Sequence, residues 1–452
     1  MGNEDINKGN EEKEDFIDKI KTVKIDRRLF VKYTSMVAAT AALGSTMLWG
    51  CGSNNEGKPG SSGGGSTAGG VAPGGASGLI IKKGSPMVTI FTSLDNDYYA
   101  DWSVGAEQCV KALGMNYERY ACEFKAEQLI SQFENKAVQG VKVFFLGPPD
   151  PSPIPRVCEI AKQYQAHFTV TWESPDWFHP IEGGDYYVSF FLPPGLKAAY
   201  DMAKILFDAM GGKGNLIHIT GIPGNTPDLM RTMGVDLALK EYPNIKLIER
   251  QNGRWNRIDS RKVMEDLISK HKQIEGVFGQ NDGCALGALS ALEDHGIKGV
   301  PIVGIDGSKE ALDRIKEGRM TGTNSSIPQW QAGYSAVAAF DAANGWKPSV
   351  PERMMWTGTI NITKKNVDSY YKTFIENKIL PYDWELMSKV LHPNDWDPQN
   401  EVYPMDPNEL WAPMKKPANF KGLPPQVQEA KDKGEFESIK RLYADHWKKK
   451  PF

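Results

Sequence analysis

The sequence is poor in the residues that build metal clusters and covalent cross-links. It has five cysteines and seven histidines, without a Cys-x-x-Cys pair or a Cys/His spacing typical of zinc sites. No run of 18 uninterrupted apolar residues is present either. We therefore predict no metal site and no transmembrane helix.

The chain also lacks an excess of charge of either sign. Its 53 Lys and Arg residues against 56 Asp and Glu residues give a net charge of −3, which excludes a broadly basic nucleic-acid binder. No Gly-x-Ser-x-Gly elbow stands between a predicted strand and helix, and no phosphate loop or dinucleotide-binding glycine pattern is present. We predict no enzymatic activity, no cofactor and no nucleic-acid partner.

The amino-terminal segment has the features of an export signal. A twin arginine, Arg27-Arg28, precedes a short apolar stretch that ends in Leu48-Trp49-Gly50-Cys51. The arginine pair resembles a twin-arginine signal, and the last four residues resemble a lipobox. Residues 1–50 are therefore predicted to be a twin-arginine-like lipoprotein signal peptide, and Cys51 the lipidated first residue. The alternative is an ordinary basic pair and an unmodified thiol.

A flexible tether is predicted to follow the cysteine. From Cys51 to Gly78, 16 of 28 residues are Gly or Ser, a composition that cannot bury enough apolar surface to fold. Residues 51–85 would thus join a lipid anchor to a globular body. The predicted location is the periplasmic or outer side of the cell membrane, contacted only through the lipid.

From Val88 onwards, short β-rich runs alternate with helical periods, which is the pattern of parallel sheets covered by helices. About ten such strand-helix units are too many for a single sheet. We therefore predict an α/β fold with two doubly wound parallel-sheet lobes joined by a hinge. The predicted boundaries are 86–190 plus 327–356 for the first lobe and 191–326 plus 357–365 for the second. Crossings between the lobes are predicted near Ser189–Leu192, Asn324–Pro328 and Met355–Ile360.

The strand-to-helix junctions are rich in Asn, Asp, Glu, Tyr and Trp. In doubly wound sheets, ligands bind beyond the carboxyl ends of the strands, where these junctions lie. Aromatic faces suit C–H surfaces, and amides and carboxylates suit hydroxyl groups. A neutral polyhydroxylated ligand is the partner that these residue types predict.

Three junctions give the sequence a specific resemblance. They are Leu94-Asp95-Asn96-Asp97-Tyr98-Tyr99, Phe278-Gly279-Gln280-Asn281-Asp282 and Val303-Gly304-Ile305-Asp306-Gly307. In order and spacing, residues 88–363 resemble a type I periplasmic binding protein of the ribose-binding branch. The resemblance implies a hinged two-lobed fold that captures a sugar or polyol and delivers it to the permease of an ABC importer.

The resemblance also implies a set of ligand-binding residues. They are Asn96, Tyr98, Tyr99, Trp172, Glu173, Trp255, Asn281, Asp306 and Ser326. Trp172-Glu173 replaces an Asp-Arg pair of ribose binders, and Ser325-Ser326 replaces a glutamine. Leu229 stands where the second lobe often supplies an arginine, with Arg231 two residues later. We therefore expect a pocket that is rich in aromatics, poor in arginine and unsuited to an anionic ligand.

Several of these residues have an alternative structural role. Asp306 could cap the next helix, and Asn281 could stabilise its own turn. Of Tyr98 and Tyr99, only one is expected in the cleft. Trp177 and the adjacent Phe178 could form a lid or simply pack. Cys109 and Cys122 could form a disulfide, or both could be buried thiols.

The last 87 residues are an extension beyond the family fold. Residues 366–452 alternate aromatics with Pro and Asp and then form a charged amphipathic segment, Gln426–Lys448. We predict that the extension packs on the body, with Gln426–Lys448 as one helix whose apolar side carries Phe436, Ile439, Leu442 and Tyr443. A docking surface for a partner is the alternative.

Two functions remain open at this point. The first is a solute-binding lipoprotein that supplies an ABC importer. The second is a ligand-sensing lipoprotein that presents its closed form to a receptor or sensor kinase, and the sequence does not separate the two.

Overall fold

The structure, a computed structural model, describes residues 79–412 and 414–452. The predicted signal peptide, Cys51 and most of the predicted tether lie outside these residues. Within the described ranges, no helix is long and apolar enough to cross a membrane. The same residues hold no group of three or more His, Cys, Asp or Glu side chains arranged to bind a metal ion.

Strands and helices alternate along the whole body. The first set is β1 (Pro86–Phe91), α1 (Asp97–Ala112), β2 (Asn116–Ala121), α2 (Ala126–Val138), β3 (Val143–Gly147), α3 (Ile154–Tyr164), β4 (His167–Thr171) and β5 (Tyr187–Leu192). The second set is α4 (Gly195–Ala209), β6 (Gly214–Thr220), α5 (Thr226–Glu241), β7 (Ile245–Asn252), α6 (Arg257–Lys270), β8 (Gly276–Gly279), α7 (Asp282–Asp294), β9 (Ile302–Ile305), α8 (Lys309–Lys316) and β10 (Gly322–Ser325). The chain ends with α9 (Pro328–Ala343), β11 (Met354–Thr357), β12 (Ile360–Thr363), α10 (Val367–Tyr371), β13 (Val402–Pro404), α11 (Pro407–Trp411), α12 (Pro425–Asp432) and α13 (Glu435–His446).

These elements form two sheets, and each sheet is the centre of one lobe. The first sheet has the order β13-β11-β5-β4-β3-β1-β2 and the second has the order β12-β10-β9-β8-β6-β7. All pairs are parallel except β11 with β13 and β10 with β12, which are antiparallel edges. The central strands β3, β5, β8 and β9 are buried at every position, as expected where helices cover both faces of a parallel sheet. The predicted fold of two doubly wound lobes is confirmed.

Within the part of the chain that the structure describes, there are four passages between the lobes. The chain crosses after β5, between β10 and α9, and between β11 and β12. The fourth passage follows α10, which packs against α8 in the second lobe, because β13 then joins the first sheet. The carboxyl-terminal extension therefore contacts both lobes.

The extension is fixed to the first lobe by polar and aromatic contacts. Trp330 Nε1 on α9 donates to the Pro398 carbonyl oxygen at 2.8 Å. Lys389 forms a buried ion pair with Glu352, and its ammonium lies 4.4–4.6 Å from the ring centroids of Trp346, Trp396 and Tyr443. Trp177 packs against Trp411 and Phe420 of the extension, with ring centroids at 5.9 and 5.0 Å. Trp177 therefore packs and does not line the cleft.

Two details of the extension and the cysteines differ from the expectations. The segment Gln426–Lys448 is two helices, α12 and α13, because Gly434 has a φ of 68° and ends the first of them. Leu442 is 39% exposed, so it is not part of the apolar side, whereas Tyr443 is buried. Cys109 and Cys122 are buried, free thiols, so the disulfide alternative is not realised.

Candidate functional site

A cleft lies between the lobes, and its walls are built by the junctions that follow the strands of both sheets. It encloses about 550 Å³ of space free of protein atoms, part of which is open to solvent. Eight of the predicted ligand-binding residues line it, namely Asn96, Tyr98, Tyr99, Trp172, Glu173, Trp255, Asn281 and Asp306. Arg231, which the sequence analysis named two residues after Leu229, also lines it. Residues that the sequence did not single out line it too, namely Thr92, Phe124, Pro148, Pro149, Ile222, Asn225 and Pro227.

The first lobe presents an aromatic wall. Tyr99 stacks on Phe91, with ring centroids 5.3 Å apart, and it lies so close to Gly147 that a Cβ there would be 2.7 Å from the tyrosine ring. The Trp172 indole Nε1 donates to the Tyr98 hydroxyl at 2.8 Å, and that hydroxyl also bonds the side chain of Gln331. Both tyrosines line the cleft, so the expectation that only one would do so is wrong.

Asn96 has a second role in this wall. It is the residue before α1, and its side-chain oxygen accepts a hydrogen bond from the Tyr98 amide at 2.9 Å. The side chain therefore caps the helix and lines the cleft at once. This capping bond holds the amide group at the rim of the first lobe.

Trp255 forms the opposite wall in the second lobe. Its indole covers Gly221 so closely that a Cβ on that glycine would lie 1.9 Å from the ring. The indole Nε1 donates to Asn225 Oδ1 at 3.2 Å. The ring is therefore held in place from behind and from one edge.

Asn281 and Asp306 stand side by side at the ends of β8 and β9. Asn281 Oδ1 accepts from the Cys284 amide at 2.8 Å, so this side chain caps α7 as well as lining the cleft. Asp306 does not cap α8, because Ser308 occupies the capping position and its hydroxyl accepts from Ala311. The structure therefore leaves the Asp306 carboxyl group without a capping role.

Arg231 is the arginine among the residues that line the cleft, where the sequence predicted a pocket poor in arginine. It lies on α5, is buried, and reaches the cleft, where its Nη2 is 3.8 Å from Asp306 Oδ1. Its Nη1 donates to the Gln280 carbonyl oxygen at 2.5 Å. The guanidinium carbon lies 5.3 and 5.4 Å from the ring centroids of Trp172 and Trp255. One arginine therefore sits between the two indoles, paired with the aspartate.

Burial controls the electrostatics of the cleft. It raises the pKa of Asp306 well above the usual range, although the nearby Arg231 opposes the shift. It also raises the pKa of Glu173 well above the usual range, against the hydrogen bonds that Thr226 donates. Both shifts disfavour the ionised forms of these two carboxyl groups.

Ser326 is the predicted residue that does not line the cleft. It is buried at the crossing between β10 and α9, and its hydroxyl lies near the Tyr98 hydroxyl. Its contact with the cleft therefore runs through Tyr98.

Residues 87–347 match the model of the periplasmic binding protein domain. The chain belongs to this family. Among curated relatives, this periplasmic binding protein is 38% identical over 179 residues to the xylitol-binding protein of Mycolicibacterium smegmatis. That match covers 39% of the chain and 50% of the relative, so the chain spans about half of the relative's length. The ribose import binding protein RbsB of Bacillus subtilis is 25% identical over 266 residues, covering 59% of this chain and 84% of the relative.

Solved structures give the same fold. A twin-arginine translocation pathway signal protein from Burkholderia phytofirmans superimposes with a TM-score of 0.63 at 28% identity, covering 67% of this chain and 95% of that one. An ABC transporter periplasmic solute-binding protein from Actinobacillus succinogenes, with bound D-allose, superimposes with a TM-score of 0.59 at 25% identity. It covers 63% of this chain and 100% of that one.

Proposed function

We propose that this protein is the solute-binding component of an ABC importer and captures a neutral sugar or polyol between its two lobes. The observation that carries the proposal is the composition of the cleft. Aromatic rings from both lobes, Tyr98, Tyr99, Trp172 and Trp255, surround a small set of amides, carboxyls and one guanidinium. Rings of this kind pack against C–H faces, while the polar groups orient hydroxyls.

The balance of charge supports a neutral ligand. Arg231 is the arginine that lines the cleft, and it is engaged with Asp306 and with the carbonyl oxygen of Gln280. An anionic ligand would need a guanidinium that is free to form a bidentate pair. The relatives whose names mention xylitol and ribose, and the solved structure with D-allose, favour the same class of ligand.

Capture would require the lobes to move about the crossings near Ser189–Leu192, Asn324–Pro328 and Met355–Ile360. We propose that the first moving lobe consists of residues 86–190 and 327–356, and the second of residues 191–326 and 357–365. In such a protein, hinge closure around the ligand creates the form that the membrane permease receives. We propose that a sugar-loaded, closed form is delivered to an ABC permease.

The proposal also includes export and a lipid anchor at Cys51, which would keep the body at the periplasmic or outer side of the cell membrane. Mass spectrometry of the membrane fraction should find a diacylglyceryl mass on an amino-terminal peptide that begins at Cys51. A cell-envelope protein that still begins at Met1 would contradict this part of the proposal.

A thermal-shift screen of the full-length protein tests the ligand class. Xylitol, D-ribose and D-allose form the neutral set, and D-ribose 5-phosphate and D-gluconate form the anionic set. A ligand that binds only the folded protein must raise its Tm. We expect the largest rise within the neutral set; a largest rise with an anionic compound would overturn the proposed ligand class.

A further inference from the structure

Two hydrogen bonds join the lobes directly at the edge of the cleft. The Thr226 amide donates to Glu173 Oε2 at 3.2 Å, and Asn225 Nδ2 donates to the Pro149 carbonyl oxygen at 3.1 Å. Pro149 and Glu173 follow β3 and β4 of the first lobe, whereas Asn225 and Thr226 stand at the start of α5 in the second. We propose that Glu173 is a positioning residue that latches the lobes in the closed form.

The Thr226 amide at the start of α5 has no acceptor within its own helix, which explains why its acceptor comes from the other lobe. The first amides of a helix have no partner within the helix, and the preceding residue usually supplies a capping oxygen. Asn225 precedes α5 but makes no side-chain capping bond. Its side chain instead donates to Pro149 and accepts from Trp255. The amide of Thr226 therefore receives its acceptor from Glu173 across the lobe boundary.

The environment of Glu173 fits this role. The residue is 3% exposed although it stands at a junction between lobes. Its hydrogen-bond donor, the Thr226 amide, is on the other lobe. Separation of the lobes would therefore break this hydrogen bond and expose both the carboxyl group and the amide to water.

The latch residues contact residues that line the cleft, so the latch is linked to the binding of a ligand in the cleft. Asn225 accepts the indole N–H of Trp255, the residue that forms the second-lobe wall. Glu173 follows Trp172, whose indole bonds Tyr98 and faces Arg231. A ligand packed between these rings would hold the latch residues in place. This link rests on the proposed function, whereas the latch itself depends on the protein alone.

Thr226→Pro removes the latch donor with little disturbance to the helix. Proline is favoured in the first turn of a helix because it has no amide hydrogen to satisfy. Asn225 has a φ of −66° and a ψ of 142°, a conformation that a following proline permits. Glu173→Ala removes the acceptor, and Glu173→Gln keeps an oxygen that can accept from the amide.

The interlobe distance is the direct readout. Spin labels would be attached to Glu127→Cys on α2 and Lys262→Cys on α6, which are both exposed, in full-length protein that carries Cys51→Ser. Distances are measured by pulsed electron paramagnetic resonance without added sugar. We expect Glu173→Ala and Thr226→Pro each to lower the closed-to-open ratio by about ten-fold. Glu173→Gln should retain most of the closed population, and the double variant should fall no further than either single variant.

Glu182→Ala is the matched control. Glu182 Oε2 accepts from the His179 amide at 2.7 Å, so it makes the same kind of bond within one lobe. This control should leave the interlobe distance unchanged.

Two results would overturn the latch. One is a wild-type protein with no short-distance population, and the other is a ratio that Glu173→Ala and Thr226→Pro change additively or not at all. These results are separable from a failure of the proposed function. If no sugar or polyol raises the Tm but Glu173→Ala and Thr226→Pro lower the closed-to-open ratio non-additively, the latch is supported and the proposed function fails. If sugars bind but Glu173→Ala does not change the closed-to-open ratio, only the latch fails.

Discussion

At the scale of single residues, the cleft is built with backbone conformations that large side chains rarely adopt. Trp172, Trp255 and Asp306 have φ values of 73°, 58° and 144°. Such conformations cost about 1–3 kcal/mol each and persist only where the surrounding structure enforces them. All three residues line the cleft, so this strain coincides with the site that we propose for the ligand.

Glu173 gives a prediction about pH. Closure buries this carboxyl group and raises its pKa well above the usual range, whereas in separated lobes it would meet water. Asp150 and Asp176 raise the pKa further, and the bonds from Thr226 oppose the shift. The closed form therefore holds the proton to a higher pH than the open form does. Ligand binding should take up a proton, and the affinity for xylitol should fall as the pH rises above the usual range of glutamate.

Calorimetry in two buffers of different ionisation enthalpy measures this proton uptake. Glu173→Gln removes the titrating group but keeps the acceptor, so its proton uptake should be smaller than that of the wild type. Equal uptake in the two proteins would assign the pH dependence to another group, such as Asp176 near Glu173 or the buried Asp306, whose pKa values burial also raises.

The individual site residues were predictable to different degrees. Asn281 and Asp306 follow strands directly, and the topology of a doubly wound sheet brings such positions to one edge. Arg231 lies inside α5 and not at a strand-to-helix junction. Whether its side chain points into the cleft depends on the rotation of the helix about its axis, which the sequence does not give. Asn225 precedes α5, a position where asparagine often caps a helix, and only the folded structure shows that its amide group is used across the lobes.

At the scale of elements, the alternation of strands and helices was readable because each central strand is a short apolar run. The short edge strand β13, Val402–Pro404, has three residues and includes a proline, so it has no periodic signal. Its pairing with β11 is decided by a long-range contact. The break at Gly434 carried a signal, since glycine often ends a helix, but the apolar pattern on either side favoured one continuous helix.

The extension gives a prediction about stability. Burial alone would raise the pKa of Glu352, but the buried partner Lys389 holds it below the usual range. Lys389→Met leaves this carboxylate buried and unpaired, which should lower the free energy of unfolding by about 3–5 kcal/mol. Denaturant unfolding followed by circular dichroism measures the change. The double variant Lys389→Met/Glu352→Gln should recover part of the loss, and a single variant as stable as the wild type would contradict the prediction.

At the scale of the whole molecule, the two lobes are joined by several passages of the chain and by hydrogen bonds at the edge of the cleft. In the proposed cycle the lobes separate to admit the ligand and close around it. In this proposed cycle the carboxyl-terminal extension would move too, because α10 packs on the second lobe while β13 belongs to the first sheet.

Closure predicts a change in overall size. Small-angle scattering of the full-length protein should give a smaller radius of gyration with a saturating ligand than without it, because the closed lobes are more compact. Glu173→Ala should have a larger ligand-free radius than Glu182→Ala. An unchanged radius in the presence of a tightly bound ligand would contradict a hinged pair of lobes.

The central claim is that the cleft between the lobes binds a neutral sugar or polyol through Asp306 and its neighbours. Calorimetric titration of the wild type and of Asp306→Ala, with the best neutral compound of the screen, tests it most directly. Removing one partner of a buried hydrogen bond leaves the other partner unpaired, which costs about 1–3 kcal/mol, so the affinity of Asp306→Ala should fall by roughly ten-fold to over a hundred-fold. Asp313→Ala is the control, because that carboxylate pairs with Lys309 on α8 and does not line the cleft. Equal affinities of the wild type and Asp306→Ala would contradict the account.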